Sequence, residues 1–111
     1  MNSEYEPTRV LFQTHIKDFA LYEGLSVIDE LKLGTKLELR HEPDNPNDSE
    51  AVAVYFESLK IGYVPLATNN YIYTMLYFGH DLFDAQISMV DNNEHPDARY
   101  NVIISVIDRR K

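Results

Sequence analysis

Hydrophobic and polar positions alternate with period two over most of this chain, and that period predicts strands. Over residues 9–16, Val10, Phe12 and Ile16 alternate with Leu11, Gln13 and His15. Over residues 35–40, Leu37 and Leu39 point one way and Lys36, Glu38 and Arg40 the other, as in a half-buried strand. Residues 51–56 are apolar on both faces, which suits a strand covered twice. Glu57 and Ser58 make a hairpin tip, and residues 59–64 return as the partner strand until Pro65 ends the ladder. Gly62 inside that strand predicts a bulge or a close backbone approach. Phe83, Ala85, Ile87 and Met89 alternate with Asp84, Gln86 and Ser88, and residues 100–107 close the chain as a long strand.

The remaining segments break this period. Residues 18–33 place Phe19, Tyr22, Leu25, Ile28 and Leu31 at intervals of three, with Gly24 inside. We read them as a loop holding one helical turn. From about residue 67 to 78 the period is helical, with Ile72, Met75 and Leu76 as the apolar stripe, Thr68 as cap and Gly79 as stop. Residues 91–97, with Pro96, are a turn cluster. Six strands and one inserted helix predict a mostly β chain, a small barrel of OB-like or SH3-like type, because closure removes exposed edges. Residues 1–8 read as a flexible polar leader, 9–108 as one domain, and 109–111 as a basic tail.

Between two of these strands lies His41-Glu42-Pro43-Asp44-Asn45-Pro46-Asn47-Asp48-Ser49-Glu50. Its two prolines fix φ and push the preceding residues towards extended backbone. Asp44, Asn45, Asn47 and Asp48 can close turns onto backbone N–H groups. A rigid loop lined with oxygen and held by a packed sheet is a common place for a site.

Composition narrows the chemistry. At 111 residues the chain has room for one domain with a core of its own. The absence of cysteine removes disulfides, thiolate metal sites and cysteine nucleophiles, and fits a reducing compartment. The opening residues do not form a signal peptide, and no stretch approaches the roughly 20 apolar residues of a membrane span. We expect a cytoplasmic protein. The net charge of −8 lowers the prior for phosphate binding, which relies on basic patches. His15, His41, His80 and His95 are scattered without metal-ligand spacing, and Pro46 with no loop glycine excludes an EF-hand calcium loop. No metal and no cofactor are expected. No nucleophile–base pair or phosphate loop stands out, so we expect no enzyme.

Three motifs carry a family resemblance. They are Gly34 to Val54, running through the Pro-rich loop; Lys60-Ile61-Gly62-Tyr63-Val64-Pro65; and the helix ending Leu76-Tyr77-Phe78-Gly79. In order and spacing these resemble the HIRAN domain, and Leu21-Tyr22-Glu23-Gly24 resembles its aromatic-aromatic-x-Gly element. The resemblance spans residues 10–107. It implies an OB-like barrel that binds DNA, with the best-understood members gripping the free 3′ end of single strands in DNA repair. Bacterial members often stand alone, and we read this chain as one of them.

Carried over residue by residue, the resemblance makes Asp48 the acceptor of the terminal 3′-hydroxyl. It places Asn47 where a base-stacking aromatic stands, Leu21 at the first aromatic of the pair, Ala20 at a preceding basic residue, and Leu66 at a phosphate-binding lysine. Tyr22 remains aromatic, and Tyr63 offers a second face. Each lost stacking platform is worth roughly 1–3 kcal/mol, so two losses remove on the order of a hundredfold in affinity. The candidate nucleic-acid residues are therefore Asp48, Tyr22, Asn47 and Tyr63. A protein-interaction or adaptor role on the same scaffold is the alternative, with Tyr73 and Tyr77 on the helix as the surface for a partner. Each candidate also has a plainer role: Asp48 as a loop cap, Tyr22 and Tyr63 as rim residues, Tyr73 and Tyr77 as packing against a loop.

Overall fold

The computed structural model describes residues 8–92 and 94–107. Six strands form one antiparallel sheet: β1 (Thr8–His15), β2 (Lys36–Glu42), β3 (Ala51–Phe56), β4 (Leu59–Tyr63), β5 (Phe83–Val90) and β6 (Tyr100–Ile107). Their order across the sheet is β1-β6-β5-β2-β3-β4. The helix α1 (Leu66–Tyr77) and a single turn, α2 (Pro96–Arg99), complete the regular elements, with two 3₁₀ helices at Phe19–Leu21 and Glu23–Glu30.

The sheet bends at β2. Lys36 and Leu37 pair with Gln86 and Ala85 of β5, while Glu38 to Glu42 pair with Tyr55 to Ala51 of β3. One strand thus serves two partners in succession. The sheet does not close as a continuous ladder. Its two ends are tied by one bridge: the Lys17 N–H donates to the Tyr63 carbonyl at 2.7 Å, and the Tyr63 N–H to the Lys17 carbonyl at 2.9 Å. The architecture is OB-like and mostly β.

This bridge explains Gly62. Its φ is +148°, in the region that side chains avoid, and an added Cβ would lie 2.5 Å from the Lys17 carbonyl oxygen and from the Ile16 side chain. The β3–β4 register also shifts here, pairing Val54 with Gly62 but Tyr55 with Lys60. Bulge and close approach therefore coincide at one residue.

The doubly covered strand is β3, with Val52 and Ala53 fully buried. Ile16, Phe19, Ile61, Ile72 and Ile104 pack around it in the core. The Tyr100 ring meets Phe19 at 5.1 Å, and its hydroxyl donates to the Ile28 carbonyl at 3.3 Å.

Several expectations need correction. The segment after β1 is not a loop with one turn. It is 3₁₀-helical over Phe19–Leu21 and Glu23–Glu30, with a kink at Val27. Tyr22 breaks the register between them, so the buried positions become Phe19, Gly24, Val27 and Leu31, while Tyr22 and Leu25 face solvent. The chain holds more than one inserted helix, because the single turn α2 begins at the end of the expected turn cluster and runs on to Arg99. α1 begins at Leu66 with Pro65 at its N-cap, two residues before the expected cap at Thr68. The side chains of Leu66, Ala67 and Thr68 lie outside the described residues. Gly79 does end α1: its φ is +84°, its N–H donates to the Leu76 carbonyl, and the His80 N–H reaches the Met75 carbonyl at 2.9 Å, a Schellman ending. Thr8 already belongs to β1, and the rest of the polar leader and the tail 109–111 lie outside the described residues.

Candidate functional site

The Pro-rich loop is locked by its own side chains. The Asn45 N–H bonds the Glu42 carbonyl at 3.1 Å as the chain leaves β2. The Asn45 side-chain oxygen then accepts the N–H groups of Asn47 at 2.8 Å and Asp48 at 3.0 Å. Asp48 continues the pattern, with one carboxylate oxygen accepting the Glu50 N–H at 2.9 Å. Its other oxygen accepts the side-chain amide of Asn69, a buried residue of α1, at 2.8 Å. Asp48 is thus the loop cap of the plainer expectation. Each of its oxygens keeps a further lone pair, since a carboxylate offers about four acceptor sites.

Beneath the loop a polar clasp joins β2 to β4. Lys60 of β4 reaches a Glu42 carboxylate oxygen at 2.6 Å. The Tyr63 hydroxyl donates to the other Glu42 oxygen at 2.7 Å and accepts from Lys60 at 2.9 Å. The Asn45 amide nitrogen bonds Glu42 at 3.2 Å and the Tyr63 oxygen at 3.1 Å. The charges shift accordingly. Burial pulls the Glu42 carboxyl upwards, but the hydrogen bonds from Lys60, Tyr63 and Asn45 outweigh it and hold the group below the usual carboxylate range. Burial opposes the Lys60 ammonium, yet Glu42 and Tyr63 win and raise it. Burial, reinforced by Glu42, pushes the Tyr63 phenol up to about 12.

Beside this clasp lies a cleft of about 110 Å³, lined by Lys17, Tyr22, Asn47, Asp48, Tyr63 and neighbours. A broader groove over Pro43, Pro46 and Lys60 continues it. The four residues singled out from the sequence, Asp48, Tyr22, Asn47 and Tyr63, all border this one cleft. Tyr22 stands edge-on to Tyr63 with ring centroids 5.4 Å apart, and the Lys60 ammonium lies 5.1 Å from the Tyr22 ring. Tyr22 is 38% exposed, while Leu21 beside it is 73% exposed and presents an aliphatic surface with no π-face.

Tyr73 and Tyr77 lie elsewhere. They stack on each other at 5.9 Å along α1, and His41 of β2 meets both edge-on. Tyr73 packs against the strand β2 and the edge of the core, not against the loop as expected, while Tyr77 remains mostly exposed. Four residues were missed as part of the site: Lys17, Glu42, Lys60 and Asn69. Lys60 and Tyr63 share the Lys-Ile-Gly-Tyr motif; a spacing of three would set them on opposite faces of a regular strand, and the register shift at this point of β4 lets both reach Glu42. Lys17 carries no signal of its own, because only the bridge to Tyr63 brings it to the cleft. Among the described residues no group of three His, Asp or Glu is placed to hold a metal ion, and no helix is long and apolar enough to cross a membrane.

Comparison with known proteins bears on this geometry. The family model described as the HIRAN domain matches residues 10–107. No curated protein matches the sequence. Among solved structures, a protein from Lactobacillus plantarum superposes with a TM-score of 0.77 at 15% identity, covering 95% of this chain and 100% of that one. The HIRAN domain of human HLTF superposes with a TM-score of 0.72 at 12% identity, covering 93% of this chain and 81% of that one. At such identities the likeness is one of fold.

Proposed function

From the premise that this chain belongs to the HIRAN domain family, we propose that it is a nucleic-acid-binding module that holds the end of a DNA single strand in the cleft beside the Pro-rich loop. One observation supports this above the others: Asp48, Asn47, Tyr22 and Tyr63 come from three separate segments and border one cleft. In this reading a spare lone pair on Asp48 accepts the terminal 3′-hydroxyl. Asn47 contributes a polar edge where the family carries an aromatic. Tyr22 gives the terminal sugar or base a ring, steadied edge-on by Tyr63, and Lys17 meets the first phosphate. Binding, not turnover, is the activity, and the proposal extends to a cytoplasmic role in DNA repair.

Anisotropy titration at low salt tests it, with a short single-stranded DNA ending in a free 3′-hydroxyl beside the same strand ending in a 3′-phosphate. Micromolar binding that falls at least about tenfold with the phosphate cap is expected, since the cap sets charge against the Asp48 carboxylate. Asp48→Ala also loosens the loop, so Tyr22→Leu and Lys17→Gln serve as variants that spare it. Each should weaken binding severalfold. Equal affinity for both ends, or none for either, would refute the proposal.

A second reading, a protein-interaction module on the same scaffold, is supported by the exposed aromatic surface of α1.

A further inference from the structure

Two lysines border the site among the described residues, and they are not equivalent. Lys17 lines the cleft together with Asp48 and Tyr63. Lys60 lines the groove that continues it, with its ammonium 5.1 Å from the Tyr22 ring and 5.0 Å from the Tyr63 ring. A strand laid against those two rings therefore passes close to Lys60. Yet this ammonium is already held. A Glu42 carboxylate oxygen lies 2.6 Å away, and the Tyr63 hydroxyl accepts from Lys60 at 2.9 Å.

Glu42 is a strong competitor for that ammonium. Its carboxylate is anchored by two further donors, the Tyr63 hydroxyl at 2.7 Å and the Asn45 amide at 3.2 Å. The Glu42 side chain is 22% exposed, a partly dry setting in which charge attraction exceeds that in water. The carboxylate is also tethered, whereas an incoming phosphate must give up translational freedom to take its place. The clasp by itself does not call for an acid here. A neutral amide at position 42 offers Tyr63 an acceptor as well. What the carboxylate alone adds is neutralisation of Lys60.

We propose that Glu42 is a specificity-determining residue of this site: its carboxylate stands where a phosphate would and keeps Lys60 off the nucleic-acid backbone. The masked lysine withholds a contribution that any phosphate along a strand would draw on, so the strand end accounts for a larger share of the affinity. The inference rests on the DNA reading and adds to it the residue that restrains binding along the strand. Without Glu42, Lys60 keeps its charge at neutral pH, because a lysine loses its proton there only on deep burial and 25% of this side chain is exposed.

Anisotropy titrations over a series of salt concentrations test this, with the short single strand ending in a free 3′-hydroxyl. The proteins are the wild type, Glu42→Gln, Lys60→Gln and the double variant, each checked by circular dichroism to be folded. Glu42→Gln should tighten binding at low salt by at least about threefold and steepen the slope of log K against log salt by about 0.7, one phosphate contact. In the Lys60→Gln background the same change should give neither effect. Lys60→Gln alone should leave the slope at its wild-type value, a comparison that retains Glu42 and holds even where Glu42→Gln does not fold. Equal gains from Glu42→Gln in both backgrounds would overturn the proposal, as a general effect of net charge. So would a folded Glu42→Gln with no gain and a wild-type slope, or a slope flattened by about 0.7 in Lys60→Gln. In each of these cases a wild type that binds the free 3′ end leaves the DNA reading in place. No binding by any of the four proteins would overturn both.

Discussion

Glu42 is the residue on which the loop and the cleft both depend. Its carboxylate is the common acceptor for Lys60, Tyr63 and Asn45. Because its pKa is held below the ordinary value of 4.5 in the fold, ionised Glu42 contributes stability that is fully present above that value. The contribution is lost as pH falls through the lower folded value. Lys60 and Tyr63 act in the opposite sense: both are raised, so their contribution is complete below about pH 10 and disappears only as pH rises past it. Between these limits the clasp is independent of pH. Denaturant unfolding of the wild type and Glu42→Gln from pH 3 to 9 should show a constant gap above about pH 5, of roughly 1–3 kcal/mol. The gap should close steadily below pH 4.5. A gap unchanged at pH 3 would mean that the carboxylate charge contributes nothing.

At the scale of elements, the seam between β4 and Lys17, two residues beyond β1, depends on a missing side chain. Gly62→Ala would put a methyl group 2.5 Å from the Lys17 carbonyl, at a φ of +148°. Strain and overpacking together should cost roughly 2–4 kcal/mol, seen as a lowered denaturation midpoint with an unchanged slope. A loss under 0.5 kcal/mol would mean that the seam yields easily. The strands around it were legible in the sequence because alternation survives whatever packs on them: residues 100–107 and 51–56 were bounded from the pattern alone. The 3₁₀ segment was not, since spacing by three is shared by loose turns and gives no hint that Tyr22 breaks the register. α2 is too short to show a period, and α1 starts earlier than its threonine suggests because Pro65 stands at the N-cap without a side-chain cap. The site divides in the same way. Asn45 and Asp48 announce a turn by their residue type. The gathering of Tyr22 and Tyr63 came from the order of family motifs, and the Asn69–Asp48 bond joins residues 21 positions apart that no local pattern relates.

For the whole molecule the decisive quantity is charge. With a net charge of −8, and with Lys17 and Lys60 as the cations lining the cleft among the described residues, few phosphates can be neutralised there. Lys60 is already engaged by Glu42. Each phosphate contact on a single strand contributes a slope of about −0.7 in log K against log salt, so the slope should lie between about −0.7 and −1.4. Titrations at several salt concentrations read it directly. A slope near −3 would show that phosphates are met by cations other than Lys17 and Lys60. Under the proposed DNA reading, affinity would come from recognition of one strand end, more than from attraction to a long polyanion.

The single bridge between Lys17 and Tyr63 gives the fold a seam that can breathe. Two peptide hydrogen bonds join the sheet's ends there, at the margin of the core where the buried Ile16 packs beside Gly62, so local opening is resisted by those bonds and by that packing. The same two residues line the cleft. A ligand seated in it spans both banks of the seam and becomes the third fastening. Occupancy and local opening are therefore mutually exclusive states, and the free energy of binding reappears as slowed amide exchange at Lys17 and Tyr63.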